Sequence, residues 1–270
     1  MRKLPLVSVI VPTYHDWERL SCCLDSLIKQ TYPDRLLEVL VVNNDSADHP
    51  PEFVLPDNFR VLTEDKPGSY AARNKGISVA KGDVFAFIDS DCIPHLDWIE
   101  KAIERLLQGA DRLAGHIDIF PQFTKPNAAE FYDMVFGFDQ ENAARNGLSV
   151  TANMITWSSL FSQVGSFDHT LLSGGDVEWS RRASGLGFNI EYAPDVIVKH
   201  PARSTLQQLL MKRLRVSAKK TKPSENRLKY NMVNAYSYVY KKRLIHLFSG
   251  EAASRLVGLN ALIIAVSLRL

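Results

Sequence analysis

The stretch FAFIDSDCIP, residues 85–94, puts two aspartates, Asp89 and Asp91, one residue apart directly after an apolar run. Charged residues are rarely left at the buried end of a strand without a partner. With only Ser90 between them, both carboxylates reach one volume of space. Hard divalent cations such as Mg²⁺ and Mn²⁺ favour carboxylate oxygens and are often shared with phosphates. The plainer reading is a capped turn, in which Asp91 or its neighbour starts the next helix. A third acid, Asp176, follows Gly174-Gly175 and opens a helix. It is either an N-cap or an acid beside backbone that a ligand can approach closely. His200 ends the run APDVIVKH. A neutral imidazole there could complete a mixed Asp/His site for Mn²⁺, although a lone histidine is more often a core or surface residue.

These residues need a frame, and the first hundred residues supply one. LVSVIVPTY is a continuous apolar run, as in a strand covered on both faces. DWERLSCCLDSLIKQ follows, with Leu20, Leu24 and Leu27 on one helical face and Asp16 available as N-cap. LEVLVVNN and FRVLTE read as strands two and three. SYAARNKGISVAK reads as a helix ending at Gly82, VFAFIDSD as the next strand and LDWIEKAIERLLQ as an amphipathic helix. Such alternation implies an α/β fold with a mostly parallel central sheet and helices on both faces. Ligands bind such sheets beyond the carboxyl ends of the strands. That rule selects the loops Pro12 to Asp16, Asn43 to Asp48 and Asp89 to Pro94. Further on, a helix is expected from about Val177 to Ser184 and a strand ending at His200.

The 46% hydrophobic and 23% charged composition argues against a disordered or fibrous chain. Three cysteines, two of them adjacent at Cys22-Cys23, form neither a disulfide framework nor a zinc spacing, which points to a reducing, cytoplasmic compartment. The start MRKLPLVSVIVPTY has the outline of a signal peptide, but it lacks a small-residue cleavage site and Pro12 interrupts it, so a first buried strand is expected. No stretch reaches the roughly 20 apolar residues that span a bilayer.

VSVIVPTY, VLVVNNDSAD, GSYAARNKGI, GDVFAFIDSDCIPHLDWIE and VGSFDHTLLSGGDVEWSRRASGLGF, in this order, resemble the successive motifs of family 2 glycosyltransferases. The resemblance runs from about residue 6 to about residue 200. It implies a GT-A fold and an inverting transfer from a nucleotide-diphosphate sugar. It further implies that Pro12, Thr13 and Tyr14 line the base, and that Asn43, Asn44 or Asp45 binds base or ribose. Arg73 and Asn74 would face the donor, the arginine near the phosphates, where a guanidinium fork fits. Asp91 would be the principal metal ligand for Mn²⁺ or Mg²⁺, with Asp89 and Ser90 beside it and His200 near the diphosphate. Asp176 would be the general base. The residue before it is usually Glu in the family, and here it is Gly175. The loop NNDS also departs from the usual Asp-Asp or Asp-Asn then Gly-Ser; uridine is still favoured. TANMITW resembles the acceptor-side segment, so Asn153, Trp157, Gly174, Gly175, Glu178 and Trp179 are expected around the acceptor, the tryptophans as stacking faces.

On this basis residues 1–205 form the GT-A domain, with a donor half at 1–110 and an acceptor half at 111–205. Residues 206–270 form a helical C-terminal extension. From Lys212 to Arg243 eleven Lys/Arg stand against one acid, Glu225, a local charge of +10 within an overall +2. Such a block favours peripheral contact with an anionic inner membrane face, where a glycan or lipid-linked acceptor would be met, over nucleic acid, for which no recognised module is present. Two alternatives stand beside this reading: a catalytically silent glycan-binding or scaffold protein of the same fold, and a sugar nucleotidyltransferase. The latter should carry a Gly-rich phosphate loop after its first strand, and VPTYHDWERL has none.

Overall fold

A computed structural model describes residues 3–217. The strands are β1 (Val7–Thr13), β2 (Leu37–Asn43), β3 (Phe59–Thr63), β4 (Val84–Ile88), β5 (Ile93–Pro94), β6 (Arg112–Phe120), β7 (Asn153–Trp157) and β8 (Glu191–Pro201). The helices are α1 (Trp17–Ile28), α2 (Ser69–Val79), α3 (Trp98–Leu107), α4 (Ala128–Phe136), α5 (Gln140–Arg145), α6 (Ser159–Val164), α7 (Gly175–Gly185) and α8 (Leu206–Ser217), with a 3₁₀ turn at Asp34–Leu36. They build an α/β fold on one eight-stranded sheet of order β3-β2-β1-β4-β7-β6-β8-β5, with helices on both faces.

Every residue of β1 and of β4 is buried, which is why both read as unbroken apolar runs. The pairs β1–β2, β1–β4 and β2–β3 are parallel, and their register sets Thr13 beside Asn43 and Asn43 beside Thr63. Three strand ends therefore open onto one edge. β7 reverses this order and runs antiparallel to β4, with Asn153 opposite Ile88 and Trp157 opposite Val84. The sheet is thus mixed, parallel through β3-β2-β1-β4 and antiparallel at β4–β7, β6–β7 and β5–β8.

Two local expectations are corrected. Asp16 precedes α1 but its side chain caps no backbone N–H; its Oδ1 instead accepts from Arg19 Nε at 2.9 Å, a guanidinium one turn away outcompeting the helix end. Helix α2 stops at Val79, with Ala80 extended. Gly82 lies beyond it because the chain there passes against β1, where a Cβ would stand 2.6 Å from the Ser8 backbone nitrogen.

The described residues divide into two compact units, 1–118 with 139–200, and 119–138 with 201 onward. In the first, Phe85, Phe87, Phe161, Phe167 and Trp179 form the aromatic part of the core, and Phe161 stacks on Trp179 at 4.5 Å between centroids. Trp179→Ala is expected to destabilise the protein by about 3–5 kcal/mol, measured as a fall in the denaturant midpoint with m unchanged. In the second unit Asn127 and Glu130 form a capping box on α4. Asp133, buried there, accepts from Arg203 Nη1 at 2.9 Å and lies 3.7 Å from Lys212 Nζ. Burial pushes the Lys212 ammonium down to about 8. Of the extension expected over 206–270, only α8 is described; the rest lies outside the described residues.

Candidate active site

Strand β4 ends at Ile88, and the chain turns at once: the Cys92 N–H donates to the Asp89 carbonyl at 3.1 Å. This turn throws Asp89 and Asp91 out at the strand end with Ser90 half-buried between them. The two acids then part company. Asp89 Oδ1 accepts from Arg73 Nη2 at 2.5 Å. Asp91 lies between His200 and Arg19, with His200 Nε2 3.6 Å from Oδ1 and Arg19 Nη1 3.8 Å from Oδ2. Burial raises the Asp91 carboxyl above its ordinary value and the neighbouring Asp89 charge adds to this, against the opposing pull of His200 and Arg19.

The residues here suit a divalent cation. Ligand atoms of Asp91, Cys92 and His200 all lie within 4.8 Å of one another. A carboxylate oxygen and an imidazole nitrogen are a donor pair that Mn²⁺ accepts, and a bound cation would relieve a carboxylate that burial disfavours. Cys92 is the weak member, since burial drives its thiol pKa well up and leaves it protonated. Asp89, expected beside Asp91 at the metal, holds Arg73 through Oδ1. Two buried polar atoms nearby have no hydrogen-bond partner: Thr13 Oγ1 at the end of β1 and Arg73 Nε on α2. Such atoms are rare in folded chains and mark places where a ligand can complete the bonding.

The base-side loops are held by their own side chains. Asn43 donates to the backbone carbonyls of Asp45 and Asp48, both at 2.7 Å. Asn44 donates to the Glu64 and Lys66 carbonyls and accepts from the Gly68 N–H. Both amides are thereby committed to shaping the loop, and Asp45 is the member of the trio whose side chain stays at the surface. It meets His15, whose two ring nitrogens lie 2.9 Å from Asp45 and 3.2 Å from Asp48. His15 has a left-handed φ of +52°. Backbone hydrogen bonding from Ala47 holds the Asp45 carboxyl below its usual range, with His15 adding to it. Pro12 and Thr13 are buried in β1 and Tyr14 is exposed beside His15.

Asp176 lies in the first turn of α7, where the helix dipole favours an anion. Its Oδ1 accepts from the Tyr70 hydroxyl at 3.0 Å and from the Val177 N–H at 2.8 Å, and its Oδ2 from the Thr151 N–H at 3.3 Å. Gly174 precedes the helix with a φ of +71°, which favours glycine.

The other expected side chains are engaged within the fold. Trp157 pairs with Val84 at the opposite end of β4 and donates to the Ala110 carbonyl. Trp179 is fully buried in the aromatic core and donates to the Gly165 carbonyl. Asn153 starts at the right edge but is fully buried, bonded to Trp98, His116 and Val196. Both oxygens of Glu178 are taken by Arg182. Asn74, expected on the donor side, donates to and accepts from the Phe167 backbone at 2.8 and 3.1 Å. Each is a polar or aromatic group satisfied by the fold. Sequence reasoning also passed over Tyr70 and Arg19. The signal was there: each lies three residues from a partner on the same helical face, Tyr70 from Arg73 and Arg19 from Asp16.

The comparisons agree with this architecture. The family described as Glycosyl transferase family 2 matches residues 8–157. Glycosyltransferase AglE of Haloferax volcanii is 40% identical over 224 residues, covering 79% of this chain and 72% of that protein. A Methanococcus voltae dolichyl N-acetyl-alpha-D-glucosaminyl phosphate 3-beta-D-2,3-diacetamido-2,3-dideoxy-beta-D-glucuronosyltransferase is 22% identical over 232 residues, covering 79% of this chain and 72% of its own. Among solved structures, the mannosyltransferase PcManGT of Pyrobaculum calidifontis, in complex with GDP-Man and Mn²⁺, shares the fold at a TM-score of 0.57 and 18% identity, over 98% of this chain and 75% of that one. TarS 1–349 of S. aureus in complex with UDP does so at 0.58 and 17%, over 97% and 80%. The chain belongs to glycosyl transferase family 2 and is a glycosyltransferase of the GT-A fold.

Proposed function

We propose that this glycosyltransferase inverts the anomeric centre as it moves a sugar from a nucleotide-diphosphate donor, a UDP-sugar by preference, to a hydroxyl of a glycan or lipid-linked acceptor in cell-surface glycan synthesis. One observation carries the reading: helix α2 holds both halves of the reaction. Arg73 bonds the donor-side Asp89, and Tyr70, one turn earlier, bonds Asp176. A carboxylate base held from one turn of this helix and a phosphate-facing arginine on the next suit a single displacement. Asp176 takes the proton of the acceptor hydroxyl, whose oxygen attacks the anomeric carbon as the bond to the nucleotide diphosphate breaks. Arg73 meets the charge that develops on the leaving phosphates. When bound, Mn²⁺ or Mg²⁺ would supply further positive charge there, and Asp91, His200 and Asp89 are the residues that would hold it.

The relatives support the acceptor class: the Methanococcus voltae enzyme is named for a dolichyl-phosphate-linked sugar. Peripheral contact with an anionic membrane rests on the basic block from Lys212 to Arg243 and on exposed Leu206, Leu210, Met211 and Leu214 along α8. Among the described residues no helix is long and apolar enough to cross a membrane. Calorimetric titration of the wild type with UDP and with GDP, each with and without Mn²⁺, tests the donor reading. Metal-enhanced binding of UDP over GDP is expected. Preference for GDP would overturn the uridine assignment, and no binding of either would overturn the donor site. Slow hydrolysis of the matching nucleotide sugar gives the donor assignment a second readout.

A further inference from the structure

Resting on Asp176 as the base, we infer that Tyr70 is the positioning residue that holds the orientation of that carboxylate, and that Gly175 is glycine to make room for it. Three separate observations meet at this residue. The Tyr70 hydroxyl donates to Asp176 Oδ1 at 3.0 Å. A Cβ built on Gly175 would stand 2.9 Å from two carbons of the Tyr70 ring, closer than carbon atoms approach without displacement, so any larger residue before Asp176 excludes the ring from this place. The Arg73 guanidinium lies over the same ring, 5.6 Å from its centre, while its Nη2 bonds Asp89. The ring is further braced by Phe167 at 5.6 Å.

Burial, together with the Asp176 charge, holds the Tyr70 phenol far above its ordinary pKa, so it stays an O–H donor at every working pH. The groups facing Asp176 are few: Tyr70 and, behind it, Arg73 from α2, the Thr151 N–H from the chain before β7, and the Val177 N–H of α7 itself, whose Glu178 is already paired with Arg182. Tyr70 is thus the side-chain donor, among the described contacts, that orients the base. It occupies the space in which the residue at 175 would otherwise place its own side chain. The base of this enzyme is held by a neutral phenol from the donor-side helix, which links its position to the helix that carries Arg73.

The direct test is the kcat and donor KM of Tyr70→Phe, which keeps the ring packing and removes only the hydroxyl, measured on the full chain with the donor found by calorimetry. With the base no longer held in place, kcat is expected to fall about tenfold while donor KM holds. Gly175→Ala, which retains the hydroxyl but crowds the ring, should lower kcat in the same way. An unchanged kcat in both variants overturns the inference, whatever happens to thermal stability. The two readings fail separately: if Asp176→Asn keeps full transfer activity, the base assignment falls. If Asp176→Asn is inactive while Tyr70→Phe leaves the rate unchanged, only the role of Tyr70 falls.

Discussion

Asp176→Asn is expected to lower the rate of glycosyl transfer by about 10²–10⁴-fold, the usual contribution of a positioned general base, while leaving nucleotide affinity unchanged. The substitution keeps the shape of the side chain. An asparagine oxygen can still accept from the Tyr70 hydroxyl and the Val177 N–H, which share one carboxylate oxygen. Only the longer bond from the Thr151 N–H, at 3.3 Å, would meet an amide nitrogen instead. The loss to folding should therefore be about 1 kcal/mol, too little to explain a large kinetic defect. Steady-state kinetics and calorimetry on the same preparation separate the effects. A fall in kcat with an unchanged nucleotide Kd is the expected pattern, and a parallel loss of nucleotide binding would show that Asp176 serves the donor.

The second large effect belongs to Asp91. In Asp91→Asn the gain in nucleotide affinity produced by Mn²⁺ should disappear, and transfer should fall by about 10³-fold, as several kcal/mol of charge stabilisation on the leaving diphosphate are lost. The same change should raise the melting temperature measured in chelator. The folded-state pKa of Asp91 lies above the ordinary value because burial and Asp89 disfavour its charge. An acid shifted in that direction gives stability that is complete below its unfolded pKa and is lost as pH rises through the folded value. Asparagine carries no charge and escapes that loss at neutral pH. Better stability with worse function is the signature of a residue kept for its ligand. A melting temperature unchanged between pH 4 and 7 in the wild type, and unaltered in the variant, would count against the strained-acid account.

Much of the fold is legible in the chain because its causes are local. The buried runs of β1 and β4 need apolar residues at every position, and α1 needs Leu20, Leu24 and Leu27 on one face; both patterns can be read along the sequence. The turn at Asp89 to Cys92 is likewise contiguous. What failed to be legible are the partners of polar and aromatic side chains. Asn153, Trp157 and Trp179 have the chemistry of a sugar-binding surface, yet each is claimed by a backbone carbonyl or a buried neighbour from another element. The direction of β7 decides this for Trp157: running antiparallel to β4, it carries that residue away from the site edge with each step. Asn43 and Asn44 show the same effect in a loop, where their amides find backbone groups before any base.

The order of motifs, the alternation of strand and helix and the presence of three acids were settled by the sequence alone, since each depends on residues within a few positions of one another. Only the tertiary structure decided which acid meets which partner, that Asp89 takes Arg73 while Asp91 faces His200, and that Tyr70 reaches Asp176 across 106 positions of chain. Those pairings depend on how two helices seat against the same sheet edge. A carboxylate's partner is chosen by distance and burial, which no spacing along the chain records.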